Sequence, residues 1–115
     1  MRHLIFAAAL MTGLVLSGPG QAKTGNELYN RCKSDPDSAE YTVCLAYVIG
    51  VADTLIFFKS SLKSDTCYPS GVNYNQIIDI VKKWLNENPE SRNLDATWLV
   101  TVAFREAWPC PKKKP

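Results

Sequence analysis

Apolar positions recur along most of this chain at steps of three and four, and no stretch of useful length alternates with the period of two that a half-buried strand requires. The pattern predicts an all-α domain of four helices. The first runs over about 25–33, with Leu28, Tyr29 and Cys32 on one side. Ser34, Asp35, Pro36, Asp37 and Ser38 then form a turn. Asp35 or Ser38 serves as cap there, and Pro36 suits a first-turn position. The second helix is long, about 38–62, with a seam of Tyr41, Cys44, Val48, Val51, Leu55, Phe58 and Leu62. Its other side carries Ile49, Ile56 and Phe57. A helix apolar on two sides lies centrally or meets a partner. Residues 63–72 form a loop, with Asp65, Pro69, Ser70 and Gly71 as turn formers. The third helix starts at Asn73, which with Gln76 three residues on makes a capping signal. Its apolar face is Ile77, Ile80, Val81, Trp84 and Leu85, with Lys82 and Lys83 toward solvent. Asn88-Pro89 ends it, because the residue before proline avoids helical geometry. The fourth helix, capped by Ser91 or Asn93, extends to about Trp108 before Pro109 stops it. Its expected buried side is Leu94, Trp98, Leu99, Val102, Ala103 and Ala107.

A different pattern opens the chain. Met1-Arg2-His3 is followed by an apolar run over 4–16, helix breakers, and then Gly20-Gln21-Ala22. This fits an export signal of residues 1–22, cleaved after Ala22. The run is shorter than the ~20 residues of a spanning helix, and it holds no Cys for a lipid anchor. The second helix has the length to raise the question of a membrane span. However, Asp53 lies within it, where a charge costs about 2.5–3.5 kcal/mol on insertion scales. No stable membrane insertion is expected after cleavage.

The remaining residues, 23–115, make one small domain, and domains of this size often need covalent staples. Cys32, Cys44, Cys67 and Cys110 are an even set in an exported chain, which reads as a disulfide framework. Their wide spacing, with no C-x-x-C, argues against zinc or a redox motif. Four cysteines allow three pairings. A short reversal brings Cys32 and Cys44 together across the first hairpin. Cys67 precedes the third helix and Cys110 follows the fourth, so an antiparallel pair of those helices brings these two together.

Charge and missing chemistry narrow the function. Cleavage removes Arg2 and leaves +1, and without Lys112, Lys113 and Lys114 the body stands at −2. A nucleic-acid binder would gather basic charge on one face, so no nucleic-acid partner is expected. His3 is the only histidine and is lost with the signal, so the mature chain holds no imidazole base or His metal ligand. No phosphate loop or dinucleotide fingerprint occurs. Glu87 with Glu90, and Asp35 with Asp37, are the nearest carboxylate pairs for acid–base work, and both flank turns. The expectation is no enzyme, no catalytic residue, no metal and no cofactor. Asp53 is the odd charge: the helical wheel sets it beside Ile49, Ile56 and Phe57, opposite the main seam. Its expected role is an internal ion pair with Arg31, Arg92 or Arg105, or else a polar anchor in an interface that Gly50 leaves room to approach.

Four segments resemble one known family. They are Gly25-Asn26-Glu27-Leu28-Tyr29-Asn30-Arg31-Cys32, then Cys44-Leu45-Ala46-Tyr47-Val48-Ile49-Gly50-Val51-Ala52-Asp53, then Cys67-Tyr68-Pro69-Ser70-Gly71-Val72 with Gln76, and lastly Trp84 to Arg92 through Ala96 to Pro109-Cys110. In order, and with their cysteines, they are similar to the type VI secretion amidase immunity proteins, the Rap/Tai immunity family. Asn73, Asn88 and Asn93 depart from that pattern, which has Thr, His and His there. The resemblance implies a small helical periplasmic antitoxin, often a homodimer, that binds a secreted peptidoglycan amidase and occludes its Cys-His cleft. The candidate partner-binding residues are Asn86, Glu87, Asn88, Glu90, Ser91, Arg92 and Asn93, with Ser64, Asp65, Tyr68 and Ser70 second, as loops at one end of the bundle. The alternative is a periplasmic helical chaperone or stress protein without catalytic activity.

Overall fold

The computed structural model describes residues 23–59 and 65–112. The signal expected over 1–22, the candidate Ser64 and the terminal Lys113 and Lys114 lie outside the described residues, whereas the second helix, expected to run to about Leu62, closes at Phe57 with Phe58 as its C-cap. Helix α1 is Gly25–Cys32, α2 Ala39–Phe57, α3 Tyr74–Glu87 and α4 Ala96–Ala107, with one 3-10 turn at Pro89–Ser91 between the last two. Strand pairing among the described residues is limited to two isolated antiparallel bridges.

Local chemistry sets the helix starts. Thr24 Oγ1 accepts from the Glu27 N–H at 3.2 Å, and the Thr24 N–H donates to Glu27 Oε2 at 2.8 Å. This reciprocal pair satisfies two donors that the helix leaves free. The Thr24 backbone bond holds the Glu27 carboxyl below its usual range. Ser38 caps α2 by accepting from the Tyr41 N–H at 3.1 Å. Asp35, the other expected cap, instead accepts from the Asp37 N–H inside the turn, at 2.9 Å. Asn73 caps α3 by accepting from the Gln76 N–H at 2.9 Å, as its sequence predicts. For α4 the expected Ser91 or Asn93 cap is incorrect. Asp95 holds the cap position without a side-chain bond, and the Ala96 N–H donates to the Lys23 carbonyl at 2.7 Å.

Each helix touches the other three. The largest fully buried side chains are Phe104, Leu85, Leu99, Val48, Val81 and Val100, with Cys32 and Cys44. On α3 the expected face holds, with Ile77, Val81 and Leu85 buried, Ile80 and Trp84 half-buried, and Ile78 added. The seam of α2 is narrower than expected. Cys44, Val48 and Ala52 are buried at steps of four, whereas Tyr41, Val51 and Leu55 are half-buried and Phe58 is exposed. By length and composition α2 is also apolar enough to cross a membrane. Here its buried stripe packs on the other helices, and Cys44 ties it to α1.

The α4 face differs from expectation. Leu99, Val102 and Ala103 are buried, but so are Ala96, Val100 and Phe104, while Leu94 and Trp98 are exposed. This helix is apolar nearly all round, so periodicity alone did not choose a side. Its polar stripe is the better guide: Thr97, Thr101 and Arg105 fall four apart and all lie at the exposed or half-exposed surface.

Both disulfides join the expected partners. Cys32–Cys44 closes the α1–α2 hairpin, and Cys67–Cys110 joins the segment before α3 to the segment after α4.

Candidate functional site

The two candidate loops lie at opposite ends of α3. One precedes α3 and the other follows it, and a helix of 14 residues separates its ends by about 20 Å. The expectation that both loops lie at one end of the bundle is therefore corrected.

The turn after α3 is internally braced. Arg92 Nε donates to the Leu85 carbonyl at 2.6 Å and Nη2 to the Asn86 carbonyl at 3.3 Å. These bonds satisfy free carbonyls at the helix end. The guanidinium carbon also lies 3.7 Å from the centroid of the Tyr29 ring, a cation–π contact. Asn88 Nδ2 donates back to the Trp84 carbonyl at 2.8 Å. Asn86 Oδ1 accepts from the Tyr29 hydroxyl at 3.2 Å. Arg92 and Asn88 thus hold the turn in shape, and Ser91 is half-buried in it. Glu87, Glu90 and Asn93 are exposed, and no hydrogen bond or ion pair among the described residues occupies their side chains. They present two carboxylates and an amide on a stiff support.

The loop before α3 is built differently. The Asp65 carbonyl accepts from the Cys110 N–H at 3.0 Å, and the Cys67 N–H donates to the Trp108 carbonyl at 2.8 Å. Tyr68 packs its ring on Phe104 and Trp108, with centroids 5.8 and 5.4 Å away. Its hydroxyl is buried with no hydrogen-bond partner among the described residues, and burial pushes its pKa up to about 12. Gly71, at φ 84°, supplies the left-handed residue that turns the chain into α3. Ser70 is exposed.

Next to this loop lies a groove of about 470 Å³ whose lining includes Asp53, Ile56, Tyr68, Val72, Tyr74 and Ile77. Asp53 is exposed on its rim and makes no ion pair among the described residues. The expected internal pair is incorrect. Arg31 binds Glu40 at 2.6 Å, Arg92 braces the turn, and Arg105 lies 5.5 Å from the Trp98 ring centroid. Asp53 lies off the buried stripe of α2, with Thr54, Ile56 and Phe57 exposed beside it, so the carboxylate keeps its water.

Sequence reasoning reaches only part of a run of exposed apolar side chains at this end: Ile56 and Phe57 form the expected second apolar side of the helix, Phe58 is expected in the buried seam, and Tyr74 is not singled out by the pattern. Ile56, Phe57, Phe58 and Tyr74 are all exposed, and Phe57 retains 80 % of its accessible area. Trp98 and Leu94 expose a second apolar area near the start of α4. Both cysteine pairs are oxidised and no described cysteine is free. Among the described residues no group of three His, Cys, Asp or Glu side chains is placed to hold a metal ion. The Asp35 carboxylate is used within its own turn, and Glu87 and Glu90 face solvent. What the surface offers is a stiff polar turn at one end of α3 and an apolar groove at the other.

The model of the family described as Rap1a immunity proteins matches residues 24–110. No curated protein and no solved structure matches the chain.

Proposed function

The chain belongs to the Rap1a immunity protein family, and from that premise we propose that it is a periplasmic inhibitor of a type VI secreted peptidoglycan amidase, non-catalytic itself. The family match, spanning the whole described domain, is the observation that carries this reading. The two disulfides suit an oxidising compartment, and the apolar run over 4–16 suits export with cleavage after Ala22.

The turn 86–93 is the part that enters and occludes the enzyme's Cys-His cleft. A braced turn loses little conformational entropy on binding, which favours affinity. Its exposed Glu87, Glu90 and Asn93 make the contacts, while Arg92 and Asn88 hold the shape. A second copy of the chain packs on the uncharged stripe of α2, where Val43, Ala46, Gly50, Thr54 and Phe57 are all exposed. Two-fold pairing is the commonest closed arrangement.

Inhibition of a type VI secreted Cys-His amidase by the purified mature chain tests the proposal. Glu90→Lys combined with Asn93→Lys should weaken inhibition by about tenfold or more, as loss of a contact residue does. Undiminished inhibition by that variant, with loss in Tyr74→Ala, would move the contact to the opposite end of α3. Arg92 is unsuitable for this test, because its loss would unbrace the turn. On exported material, the mass should correspond to a start at Lys23, and light scattering should give a dimer.

A further inference from the structure

Beside the turn, three lysines gather that make no ion pair among the described residues. Lys33, at the C-cap of α1, places Nζ 4.9 Å from the Tyr29 ring centroid, and Lys82 on α3 places its own 5.5 Å from that of Tyr41. Lys33, Lys82 and the following Lys83 converge with Tyr29, Cys32 and Asn86 on a cleft of about 270 Å³. Among the described residues no carboxylate lines it. The two ion pairs of the described residues, Lys23–Glu27 and Arg31–Glu40, do not involve these lysines. The polar edge is equally one-sided. Asn86 Oδ1 accepts from the Tyr29 hydroxyl, and no hydrogen bond among the described residues occupies the Asn86 side-chain amide N–H groups. Three lysines and one amide therefore supply the donors around this cleft. Like charges held in a concave site raise the local potential and draw anions.

We propose that this cleft receives an acidic segment of a partner protein, with Asp or Glu side chains reaching Lys33, Lys82, Lys83 and the Asn86 amide. The proposal rests on the inhibitor reading and sharpens it. Asn86 opens the turn 86–93, so a partner held by that turn lies against the cleft, and its acidic residues flank the region that the turn blocks. Charge complementarity of this kind speeds encounter and sets orientation. An anionic lipid surface fits less well. Basic faces that dock on membranes set apolar side chains beside the cations. Here the exposed large apolar side chains, Val43, Ile56, Phe57, Phe58, Tyr74, Leu94 and Trp98, lie outside the cleft lining.

The test uses the purified mature chain, isotope-labelled, with hexaglutamate as probe and hexaglutamine and phosphatidylglycerol vesicles as controls. Hexaglutamate should give saturable amide shifts at Tyr29, Lys33, Lys82, Lys83 and Asn86. The triple variant Lys33→Gln, Lys82→Gln, Lys83→Gln should lose them with an otherwise unchanged spectrum, whereas Lys59→Gln should keep them. Against an amidase that the wild type inhibits, the triple variant should associate about tenfold more slowly at low salt, with a flatter salt dependence. Equal association rates for the two would overturn the cleft while leaving the inhibitor function standing. Saturable hexaglutamate binding with no amidase inhibited would do the reverse. Binding to the vesicles and not to hexaglutamate, or shifts scattered over the whole surface, would also overturn the proposal.

Discussion

The two ends of α4 are tied to distant chain by the same device, a single antiparallel bridge, but the ties are reinforced in different ways. At its start, Thr24 pairs with Asp95. The Gly25 N–H donates to the Leu94 carbonyl at 2.8 Å, the Asn26 N–H to the Arg92 carbonyl at 2.7 Å, and the Ala96 N–H to the Lys23 carbonyl at 2.7 Å. Two helix starts thereby supply each other's missing partners, since the free N–H groups of α1 and of α4 both find carbonyls across the junction. At its other end, Thr66 pairs with Pro109 and the Cys67–Cys110 disulfide lies beside the bridge. One junction is held by backbone geometry and the other by a covalent bond. The first positions the braced turn 86–93 that we assign to the partner, and the second secures the loop that lines the apolar groove.

The covalent junction should show the larger effect when broken. Replacing Cys67 and Cys110 together by Ser frees a connection of 43 residues, and chain entropy sets the cost at about 4 kcal/mol. The same treatment of Cys32 and Cys44, 12 apart, should cost about 3 kcal/mol. Against the ~5–15 kcal/mol of an ordinary domain, either loss is large, and urea unfolding midpoints would rank them. A smaller cost for the Cys67–Cys110 pair would mean that the hydrogen bonds of that junction hold it without the disulfide.

The hydrogen-bonded junction turns on Gly25. A Cβ there would collide with Leu99 and lie only 2.9 Å from the Arg92 carbonyl oxygen and 3.0 Å from its Cα. Glycine-to-alanine changes inside a helix ordinarily stabilise by about 0.5–1 kcal/mol. Gly25→Ala should instead destabilise by about 1–3 kcal/mol, the usual cost of overpacking. It should also loosen the turn, seen as faster hydrogen exchange at Asn26 and Ala96. A stabilised Gly25→Ala would show that the junction has room to give, and the comparison with the disulfide end would fail.

The same contrast explains what the sequence could show. Cysteines announce themselves, and helical hairpins leave one sensible pairing, so the covalent junction and both bridges were legible. Asn73 with Gln76 and Asn88-Pro89 marked the ends of α3 because side chains and a proline make those boundaries. Backbone-to-backbone bonds between Lys23, Gly25, Asn26 and the segment 92–96 carry no side-chain signature, so that junction was silent. Its one trace was Thr24-x-x-Glu27, a capping motif that fixes where the tie begins. Asp53 misled for a related reason. A helical wheel assumes that a neighbour covers each apolar flank, and among the described residues none covers the flank of Asp53, Ile56 and Phe57, which are exposed. In the candidate site, the exposed role of Glu90 was legible from polarity. The bracing role of Arg92 depends on where Tyr29 and the Leu85 carbonyl fall in space.

The smallest expected effect lies at the disulfide end and has an unusual sign. Tyr68, next to Cys67, buries its hydroxyl with no partner among the described residues, and a buried polar group left unpaired costs about 1–3 kcal/mol. Tyr68→Phe removes the hydroxyl and keeps the ring against Phe104 and Trp108, so it should stabilise the domain by about 1 kcal/mol. Alkaline pH sharpens the test. Burial raises the Tyr68 pKa to about 12 from the 10.0 of a free tyrosine. Above pH 10 the unfolded chain therefore loses this proton while the folded chain keeps it. The unfolded state gains from that ionisation, so the Tyr68 contribution to stability falls as pH rises from 10 toward 12. The Phe variant lacks this group, and its advantage over the wild type should widen through that window. Urea midpoints at pH 8 and pH 11 measure it. An advantage that stays constant would show the hydroxyl to be solvated, and with it that this end of α4 is more open than its covalent tie suggests.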